Sequence, residues 1–209
     1  MKVAVVAPHA DDETLGCGGY LLKLKKLKIE TALILVTNVN NKIRKKEIDK
    51  IVKIYNFKKF YDLKFQPTSL DQIGSNEIIK KLKLSFNEFK PTNVLIPNLH
   101  DIHTDHVITH NCCLAALKWF RYKSINKIMA YETPSETEIL SKNTFKPNHF
   151  ENIEKYLNQK CKILSIYKSE LEKFPFPRSK ETLKSLAKFR GSTCGYKAAE
   201  GFEIIFSKN

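Results

Sequence analysis

Three carboxylates and one imidazole fall within five residues at the end of the first apolar run. That run ends at Pro8 and is followed directly by His9, Asp11, Asp12 and Glu13. Burying unpaired carboxylates is costly, so such a cluster needs a cation or hydrogen-bond donors to hold it. His9 and Asp12 stand three residues apart in a predicted turn, and both side chains can therefore reach one ion. We predict that this segment supplies two of the three protein ligands of a catalytic metal, together with a base that acts beside it.

A second cluster lies far along the chain, between Pro97 and His110. It contains four of the six histidines, namely His100, His103, His106 and His110. Two ligands close in sequence with a third far away is a common arrangement for catalytic zinc. His106 would complete a site of two histidines and one carboxylate that keeps a position open for water. Ligands of these types suit Zn2+ and also Fe2+, so both ions are candidates.

The elements that must position these clusters alternate between strands and helices. Strands are predicted at Lys2–Ala7, Thr31–Thr37, Phe60–Phe65, Asn93–Pro97, Lys127–Tyr131 and Phe202–Phe206. Helical patterns lie between them at Glu13–Lys28, Lys42–Asn56, Gly74–Phe89 and Asp105–Tyr122. This alternation implies right-handed crossovers and an α/β fold with a Rossmann-like, mostly parallel sheet flanked by helices. Both clusters leave strands by their C-terminal ends, which form the edge where open α/β sheets bind ligands.

The alternation stops after Tyr131. Residues 132–147 are predicted to form a long loop, which we interpret as a functional loop over the site rather than a hinge. Two further helices are predicted near Phe150–Glu172 and Ser179–Arg190. No repeat, low-complexity segment or linker marks a second domain, so residues 1–209 are predicted to form a single domain.

The composition is that of a globular protein, with 42% hydrophobic and 28% charged residues. The net charge is +14, and the excess is almost all lysine because the chain has only four arginines. This excess is either a solvated lysine-rich surface or a field that attracts an anionic substrate. Nucleic-acid binding is not expected, since phosphate and base recognition favours arginine and the lysines are spread along many helices.

No apolar run approaches the roughly 18–20 residues that cross a bilayer, and the N-terminus shows no signal-peptide pattern. We therefore expect a cytoplasmic protein without a transmembrane segment. The five cysteines show no Cys-x-x-Cys spacing, and we expect all five to be reduced and buried as small hydrophobic side chains. Nothing in the sequence specifies an oligomeric state.

The first cluster is also recognisable as a motif. From Pro8 to Gly19 it reads Pro-His-Ala-Asp-Asp-Glu-Thr-Leu-Gly-Cys-Gly-Gly. This resembles the signature of the PIG-L/LmbE-like deacetylases, zinc-dependent de-N-acetylases of N-acetylglucosamine conjugates. The likeness spans essentially the whole chain and continues through Thr37-Asn38, Arg44 to Glu47, Lys90-Pro91, His103 to His106 and Arg190 to Phe202.

The resemblance implies roles for the residues of the first cluster. It makes His9, Asp12 and His106 the metal ligands, in agreement with the spacing argument. It makes Asp11 the general base that takes a proton from the attacking water. One carboxylate is then tied to the ion while its neighbour stays free, and both are within reach of one water.

The resemblance also implies roles outside the ligand set. His103 is similar to a group that stabilises the tetrahedral oxyanion and protonates the leaving amine, with Asp105 orienting it. Arg44 matches a position that contacts substrate. The implied substrate is a small-molecule N-acetylhexosamine conjugate, and the lysine excess is compatible with an anionic one.

Three positions depart from the pattern of this family. Alanine and threonine stand at Ala10 and Thr104, where members often have proline, and we expect only altered turn stiffness. Val39 stands where a glycine often follows the second strand. A bulkier residue restricts backbone approach, so we expect substrate contacts on that loop to differ.

The remaining candidates have simpler interpretations. Gly16–Gly19 is either a phosphate loop or a close-packed helix, and packing is favoured because the first glycine of GxGxxG and the P-loop lysine are missing. His110 is interpreted as structural and His100 as a loop or substrate residue, with a second metal as the alternative. Tyr131–Thr133 lines either a pocket or the core, and Trp119 is predicted to be core.

The sequence therefore predicts a metal-dependent hydrolase that removes the N-acetyl group of an amino-sugar conjugate. A metal phosphoesterase is the alternative enzyme, since loops rich in Asp and His also serve phosphate-ester cleavage. A basic module that binds nucleic acid or an anionic membrane is the non-enzymatic alternative. That module would leave the crowded Asp and His edge unexplained.

Overall fold

A seven-stranded sheet with helices on both faces forms the framework of the protein. The computed structural model describes residues 1–39, 41–138 and 145–208. The strands are β1 (Lys2–Ala7), β2 (Glu30–Thr37), β3 (Lys59–Phe65), β4 (Asn93–Pro97), β5 (Lys127–Tyr131), β6 (His149–Asn152) and β7 (Ala199–Ser207). The helices are α1 (Asp12–Lys26), α2 (Lys42–Tyr55), α3 (Ser75–Phe89), α4 (Thr104–Ala116), α5 (Leu157–Leu164) and α6 (Lys180–Ser192). Short 3-10 turns lie at Leu70–Gln72 and Lys168–Glu170.

The strand order is β3-β2-β1-β4-β5-β7-β6. Strands β1 to β5 pair in parallel, whereas β7 runs antiparallel to both β5 and β6. The predicted α/β fold with a mostly parallel sheet is therefore confirmed. None of the helices in the described ranges is long and apolar enough to cross a lipid bilayer.

The central strands are buried on both faces, which explains their continuous apolar sequences. In β1, Val3 and Val5 pack into one core cluster while Ala4 and Val6 pack into the other. The first cluster lies under α1, α2 and α5, and the second lies under α3 and α4. Two hydrophobic layers thus hold the sheet rigidly and fix the ends of its strands.

The chain changes direction across the sheet next to β1. It first builds outward through β2 to β3 and then returns through α3 to place β4 on the other side of β1. This reversal is the topological switch point at which open α/β sheets form a ligand crevice. The loops that follow β1 and β4 carry the two predicted clusters, so the fold places them side by side.

The helix predicted near Phe150–Glu172 is correct only in its middle part. Residues His149–Asn152 form β6, which pairs with β7, and the helix that follows is the shorter α5. Phe150 lies opposite Gly201 in this pairing. A four-residue strand with a polar sequence has no alternation long enough to detect, and only its partner strand specifies it.

The prediction of Trp119 as a core residue is also wrong. Helix α4 ends at Ala116 rather than at Tyr122, and Leu117 closes it by donating its N–H to the carbonyl of Cys113. Trp119 lies in the turn beyond and is 59% exposed. Leu117 remains buried, so the apolar face of the helix ends with it.

The glycines of α1 serve close packing. A Cβ on Gly16 would lie 2.2 Å from the ring of Tyr131, and one on Gly19 would lie 2.7 Å from Ile153. This agrees with the packing interpretation of Gly16–Gly19 and not with a phosphate loop. All five cysteines are free, and four are buried as predicted, whereas Cys194 is half-buried.

Candidate metal centre

Three side chains from the two predicted clusters converge at the C-terminal edge of the sheet. His9 follows β1, Asp12 begins α1, and His106 lies in the first turn of α4. Their ligand atoms all lie within 4.8 Å of one another. The Asp12 carboxylate is 3.4 Å from His9 Nδ1 and 3.3 Å from His106 Nε2. The structure thus brings together the three residues that the sequence predicted as ligands.

This spacing fits a divalent ion. Two ligands bound to a tetrahedral zinc at about 2.0–2.2 Å are separated by roughly 3.3–3.6 Å, a range that includes both contacts of Asp12. Asp12 and His106 are almost fully buried, whereas the side chain of His9 is 22% exposed. An ion held here would therefore be closed off by protein on one side and accessible from the cleft on the other.

Each histidine of the set has a second carboxylate behind it. His9 Nε2 lies 3.0 Å from Asp105 Oδ2, and His106 Nδ1 lies 2.7 Å from Asp101 Oδ2. Metal-binding histidines usually bond a carboxylate through the ring nitrogen that does not face the ion, which fixes the tautomer. Both rings are therefore held so that His9 Nδ1 and His106 Nε2 face Asp12.

A second possible ligand group among the described residues consists of His9, His103 and Asp105. The Asp105 carboxylate already accepts hydrogen bonds from the backbone N–H of Thr68 at 2.7 Å and of Leu70 at 3.2 Å. It also holds His9 in the orientation that the first group needs. The group with Asp12 and His106 is therefore the better metal site.

Without an ion, the ligand groups hold one another as charged pairs. Burial opposes protonation of His9, but its bonds to Asp105 and Asp12 outweigh this effect and raise the pKa of His9 to about 9. Burial likewise opposes protonation of His106, and Asp12 and Asp101 raise its pKa to about 10. The pKa of Asp12 is held well below its usual value because both imidazoles outweigh its burial.

Asp11 is held beside the ligands by an unusual backbone. Its φ of +136° lies in a region that residues other than glycine rarely adopt, and such strain is often found at active sites. Its N–H donates to Glu13 Oε2 at 3.2 Å. Its carboxylate makes no capping bond to α1, so the simple helix-cap interpretation does not apply. Instead, Asp11 Oδ2 accepts from Arg178 Nη1 at 3.1 Å.

The environment of Asp11 favours proton uptake. Burial raises the pKa of this carboxyl well above its usual value, and the charge of Asp12 adds to the effect. The positive charge of Arg178 acts in the opposite direction. Asp11 is thus a carboxylate whose proton affinity is set by its neighbours, as a general base requires.

His103 forms the N-cap of α4 and faces the same cleft. Its Nδ1 accepts the backbone N–H of Asp105 at 3.1 Å, so the ring proton of the neutral imidazole is on Nε2. Burial lowers the pKa of His103, and the charges of His9 and His106 lower it further. The structure therefore favours a neutral imidazole that donates a hydrogen bond from Nε2.

The contacts of Asp105 differ from the predicted ones. The resemblance implied that Asp105 orients His103, but its carboxylate bonds His9 and the backbone at Thr68 and Leu70. Only its backbone N–H contacts the His103 ring. Asp105 therefore supports His103 through the helix terminus and supports His9 through its carboxylate.

A cleft of about 290 Å³ opens onto these groups. Its lining includes His9, Asp11, His103, Arg44 and Arg178. The guanidinium of Arg44 forms an ion pair with Glu170 and lies 3.4 Å from Glu47. Arg44 is thus placed at the cleft, as a substrate-contacting residue would be.

A comparison with known protein families tests the resemblance directly. The family model of the GlcNAc-PI de-N-acetylases, PIG-L, matches residues 4–117. This match covers more than half of the 209 residues. The chain belongs to the PIG-L family.

Individual relatives agree with this assignment. A diacetylchitobiose deacetylase of Thermococcus kodakarensis is 23% identical over 98% of this chain and 83% of its own length. The structure of N,N′-diacetylchitobiose deacetylase from Pyrococcus horikoshii, solved with an inhibitor, has a TM-score of 0.81 and 22% identity, covering 98% of this chain and 83% of that one.

A structural neighbour with a different activity shows that the fold alone does not determine the reaction. The hydratase GalB of Pseudomonas putida, which acts on 4-carboxy-2-hydroxymuconate, has a TM-score of 0.78 and 14% identity, covering 100% of this chain and 97% of that one. Likeness at this level shows the fold and not the reaction. The reaction of this PIG-L family member must therefore be argued from its site.

One acid of the family motif is structural. Glu13 is fully buried behind the ligands and accepts hydrogen bonds from the Tyr167 hydroxyl at 3.0 Å and from the Thr14 hydroxyl at 2.6 Å. Glu13 also accepts the Asp11 N–H and so fixes the strained backbone at Asp11. This third carboxylate of the cluster therefore supports the site without facing the cleft.

Glu200 in the C-terminal motif is structural as well. Helix α1 is kinked at Cys17, where φ is −138° and ψ is 19°. Beyond the kink, Glu200 accepts the backbone N–H groups of Gly19 and Tyr20 at 2.7 Å each and pairs with Lys160 at 2.7 Å. It thus supplies acceptors for helix N–H groups that the kink leaves without them.

Other candidate residues take structural positions. His110 is buried, with its Nδ1 2.8 Å from the carbonyl of Pro97, as predicted. Tyr131 is fully buried and donates its hydroxyl to the Val6 carbonyl at 2.8 Å, and Glu132 is buried and pairs with Arg190. The core interpretation of these strand-end residues is thus the correct one.

Sequence reasoning missed the group around Arg178. This arginine contacts Asp11, Glu136 and Glu170 at 3.0–3.1 Å, although it lies 167 residues beyond Asp11 in the chain. The only signal was the rarity of arginine in a chain whose positive charge is almost all lysine. Part of the predicted loop 132–147, residues 139–144, lies outside the described residues, while Glu136 connects its described part to the site.

Proposed function

We propose that this protein is a metal-dependent hydrolase that removes the N-acetyl group from an N-acetylhexosamine conjugate. The observation that carries the proposal is the convergence of His9, Asp12 and His106 beside a separate carboxylate, Asp11. Membership of the PIG-L family and the likeness to diacetylchitobiose deacetylases support this reaction. The products are acetate and a free amine.

The ion is held by two histidines and one carboxylate in this proposal. When bound, it supplies a Lewis acid that lowers the pKa of a water molecule and polarises the acetyl carbonyl. Zinc and ferrous iron both suit these ligands. Zinc is proposed first because the sequence resembles a zinc-dependent family, and ferrous iron is tested beside it because a teicoplanin deacetylase of similar fold is described in a zinc-inhibited form.

Asp11 acts as the general base in the proposed reaction. The attacking water gives its proton to the Asp11 carboxylate while its oxygen bonds the acetyl carbon. Asp11 directly precedes the proposed ligand Asp12 and lines the same cleft as His9, and in this proposal its carboxylate does not coordinate the ion. Positioned bases of this kind typically contribute about 10²–10⁴-fold in rate.

His103 stabilises the tetrahedral oxyanion by donating a hydrogen bond from Nε2. Its neutral form is fixed because Nδ1 accepts the backbone N–H at the start of α4. A donor aimed at the developing charge in a partly buried site is worth roughly 3–4 kcal/mol of barrier. His103 thus keeps the oxyanion-stabilising role that the resemblance implied, while its neutral form makes it a hydrogen-bond donor rather than the acid that protonates the leaving amine.

Collapse of the tetrahedral state breaks the C–N bond. The departing nitrogen needs one proton to leave as an amine, and Asp11 holds the proton taken from water. Asp11 is therefore first the base and then the acid: water and the amide give acetic acid and the amine, which ionise to acetate and an ammonium group, so no other proton donor is needed.

The substrate is proposed to enter the cleft beside Arg44. The cleft volume of about 290 Å³ is suited to one hexosamine unit with the rest of the conjugate outside it. Arg44 is proposed to contact the sugar or its substituent, in exchange for part of its pairing with Glu170. The net charge of +14 would raise the local concentration of an anionic conjugate.

A screen for amine and acetate release tests the function. The purified protein, loaded with zinc or ferrous iron, is incubated with N-acetylglucosamine conjugates, chitobiose units and sugar-nucleotide derivatives. We expect stoichiometric acetate and free amine from at least one class and loss of release on chelation. Release of phosphate instead would support the phosphoesterase alternative and contradict the proposal, as would activity that survives complete metal removal.

A further inference from the structure

A turn formed by residues Thr133–Thr137 contacts both halves of the candidate site. The backbone N–H groups of Glu136 and Thr137 donate to the Thr133 carbonyl at 3.0 and 3.1 Å. Ser135 has a φ of +86°, a strained conformation for serine. Thr133 and Thr137 are buried, so the turn is fixed to the body of the protein.

The turn reaches the metal ligands through one hydrogen-bonded chain. The Thr137 hydroxyl donates to Asp101 Oδ1 at 2.7 Å, and Asp101 Oδ2 lies 2.7 Å from His106 Nδ1. The carbonyl of Glu136 also accepts the backbone N–H of Ile102 at 3.1 Å. The position of His106 is thus connected to the turn by buried polar contacts.

The turn reaches the base through a second chain that runs through Arg178. The Nε of Arg178 donates to the Ser135 hydroxyl at 3.0 Å, and its Nη2 donates to Glu136 Oε1 at 3.1 Å. Its Nη1 donates to Asp11 Oδ2 at 3.1 Å and to Glu170 Oε2 at 3.0 Å. One guanidinium therefore joins the base, the turn and the 3-10 turn that carries Glu170.

Only arginine has the geometry for these contacts. Its N–H donors lie in one plane at fixed angles, and here all three nitrogens have partners. A lysine ammonium is a single point on a flexible stem and cannot reach Ser135, Glu136 and Asp11 together. The guanidinium engages Oδ2 of Asp11.

We propose that Arg178 is a positioning residue, which fixes the Asp11 carboxylate relative to the metal ligands by tying it to the Thr133–Thr137 turn. The turn then sets the distance between base and metal, because it also holds His106 through Asp101. This inference rests on the proposed function. Arg178 acts through Asp11 and bonds no reacting atom itself.

A direct substrate-binding role is the competing explanation, because Arg178 also lines the cleft. The two roles differ in their kinetics. Substituting a residue that positions the base lowers kcat, and the substitution has no further effect once the base is removed. Substituting a residue that binds substrate raises KM, and this effect persists in a protein without the base.

The test compares Arg178→Gln, Arg178→Lys and Asp11→Asn with the double variant Asp11→Asn/Arg178→Gln, all loaded with zinc. We expect Arg178→Gln to lower kcat by about tenfold to a hundredfold, the cost of a small misplacement at a reacting centre. KM and bound zinc should stay within about twofold of wild type, and Arg178→Lys should recover only part of the rate. The double variant should turn over no more slowly than Asp11→Asn. Arg121→Gln, an exposed arginine beyond α4, is the matched control.

Two outcomes would overturn the inference. A wild-type kcat in Arg178→Gln would show that Asp11 does not need Arg178 to hold its position. A raised KM that persists in the Asp11→Asn background would show that Arg178 binds the substrate. If the wild-type protein itself releases no acetate, the proposed function fails instead. The urea unfolding of wild type, Asp11→Ala, Arg178→Gln and Asp11→Ala/Arg178→Gln then decides the link, because alanine removes the bond from Arg178: coupled effects of the two substitutions support it, and additive effects contradict it.

Discussion

At the scale of single residues, the adjacent aspartates of the first cluster take different roles because their contacts differ. Asp12 lies between the two imidazoles, which hold its pKa well below the usual range despite burial. Asp11 accepts a hydrogen bond from Arg178 instead, and burial raises its pKa. Asp11, the proposed base, directly precedes Asp12, a proposed ligand, and the backbone at Asp11 has a strained φ.

Asp11→Asn should remove most turnover while leaving metal content intact. The amide keeps the size of the side chain and the bond from Arg178, but it cannot accept a proton, so kcat should fall by about 10²–10⁴-fold. Acetate release and bound zinc, measured on the same preparation, check this expectation. Asp71→Asn, an exposed carboxylate in the 3-10 turn Leu70–Gln72, serves as the control. Unchanged turnover would remove Asp11 from the mechanism.

Metal binding near neutral pH should release protons. Without the ion, the pKa of His9 is raised to about 9 and that of His106 to about 10, so both imidazoles are charged at pH 7. An ion binds only neutral imidazole, so each histidine must lose a proton and the affinity should rise with pH until about pH 9–10. Titration calorimetry in buffers of different ionisation enthalpy counts the protons. A heat of metal binding that does not depend on the buffer would contradict the expectation that His9 and His106 are charged in the metal-free protein.

The same shifts affect the stability of the metal-free protein. A raised histidine pKa stabilises the folded state fully below the unfolded value of about 6.5, and this contribution is lost as the pH rises through the folded value. We therefore expect the metal-free protein to lose stability between about pH 7 and pH 10, and the zinc-loaded protein to lose less. Urea unfolding across this range, with and without zinc, is the measurement.

At the scale of elements, close packing of α1 on the sheet holds the first cluster in place. Gly16 faces the ring of Tyr131, whose hydroxyl is fixed by the Val6 carbonyl at 2.8 Å. The ring has therefore little room to move away. A side chain at this position would push the start of α1, and with it Asp12, away from β1.

Gly16→Ala should destabilise the protein although alanine is the better helix former. The added Cβ would lie 2.2 Å from Tyr131, and overpacking of this kind costs about 1–3 kcal/mol of unfolding free energy. Gly74→Ala is the matched control, because nothing lies within 4 Å of its added Cβ. Urea unfolding of both variants checks the expectation. Equal stability of the two would show that α1 can shift without cost.

The sequence predicts these elements well where burial dictates the pattern. Strands β1, β4 and β5 have their predicted bounds because apolar runs on a doubly covered sheet end at polar residues. The polar strand β6 was missed, since its partner β7 lies about fifty residues away and leaves no local mark. The three candidate ligands could be predicted because His9 and Asp12 directly follow β1 and His106 follows β4, and the ends of these strands meet at one edge of the sheet. Arg178 was not predicted as a site residue, because a contact between residues 167 positions apart leaves no local pattern in the sequence.

At the scale of the whole molecule, the site exists only when the switch point of the sheet is formed. His9 and Asp12 follow β1 and His106 follows β4, and these strands become neighbours only after α3 has carried the chain back across the sheet. An unfolded chain therefore holds no preformed site, and an ion that binds the folded state stabilises it by mass action.

Zinc should raise the unfolding temperature of this protein in a concentration-dependent manner. At a hundred times the dissociation constant the expected gain is about 2.7 kcal/mol, which corresponds to a shift of several degrees for a chain of this size. His106→Ala should abolish the shift by removing a ligand. His149→Ala, a histidine of β6 outside the ligand set, should keep it. Thermal denaturation with and without zinc separates the two, and an equal shift in both would place the ion elsewhere.

The most direct test of the account is anomalous diffraction from crystals of the zinc-loaded protein, measured at the zinc absorption edge. One strong peak is expected about 2.0–2.2 Å from His9 Nδ1, a carboxylate oxygen of Asp12 and His106 Nε2, with Asp11 outside bonding distance. A peak bonded to other side chains, or coordination of the ion by Asp11 in place of Asp12, would contradict it.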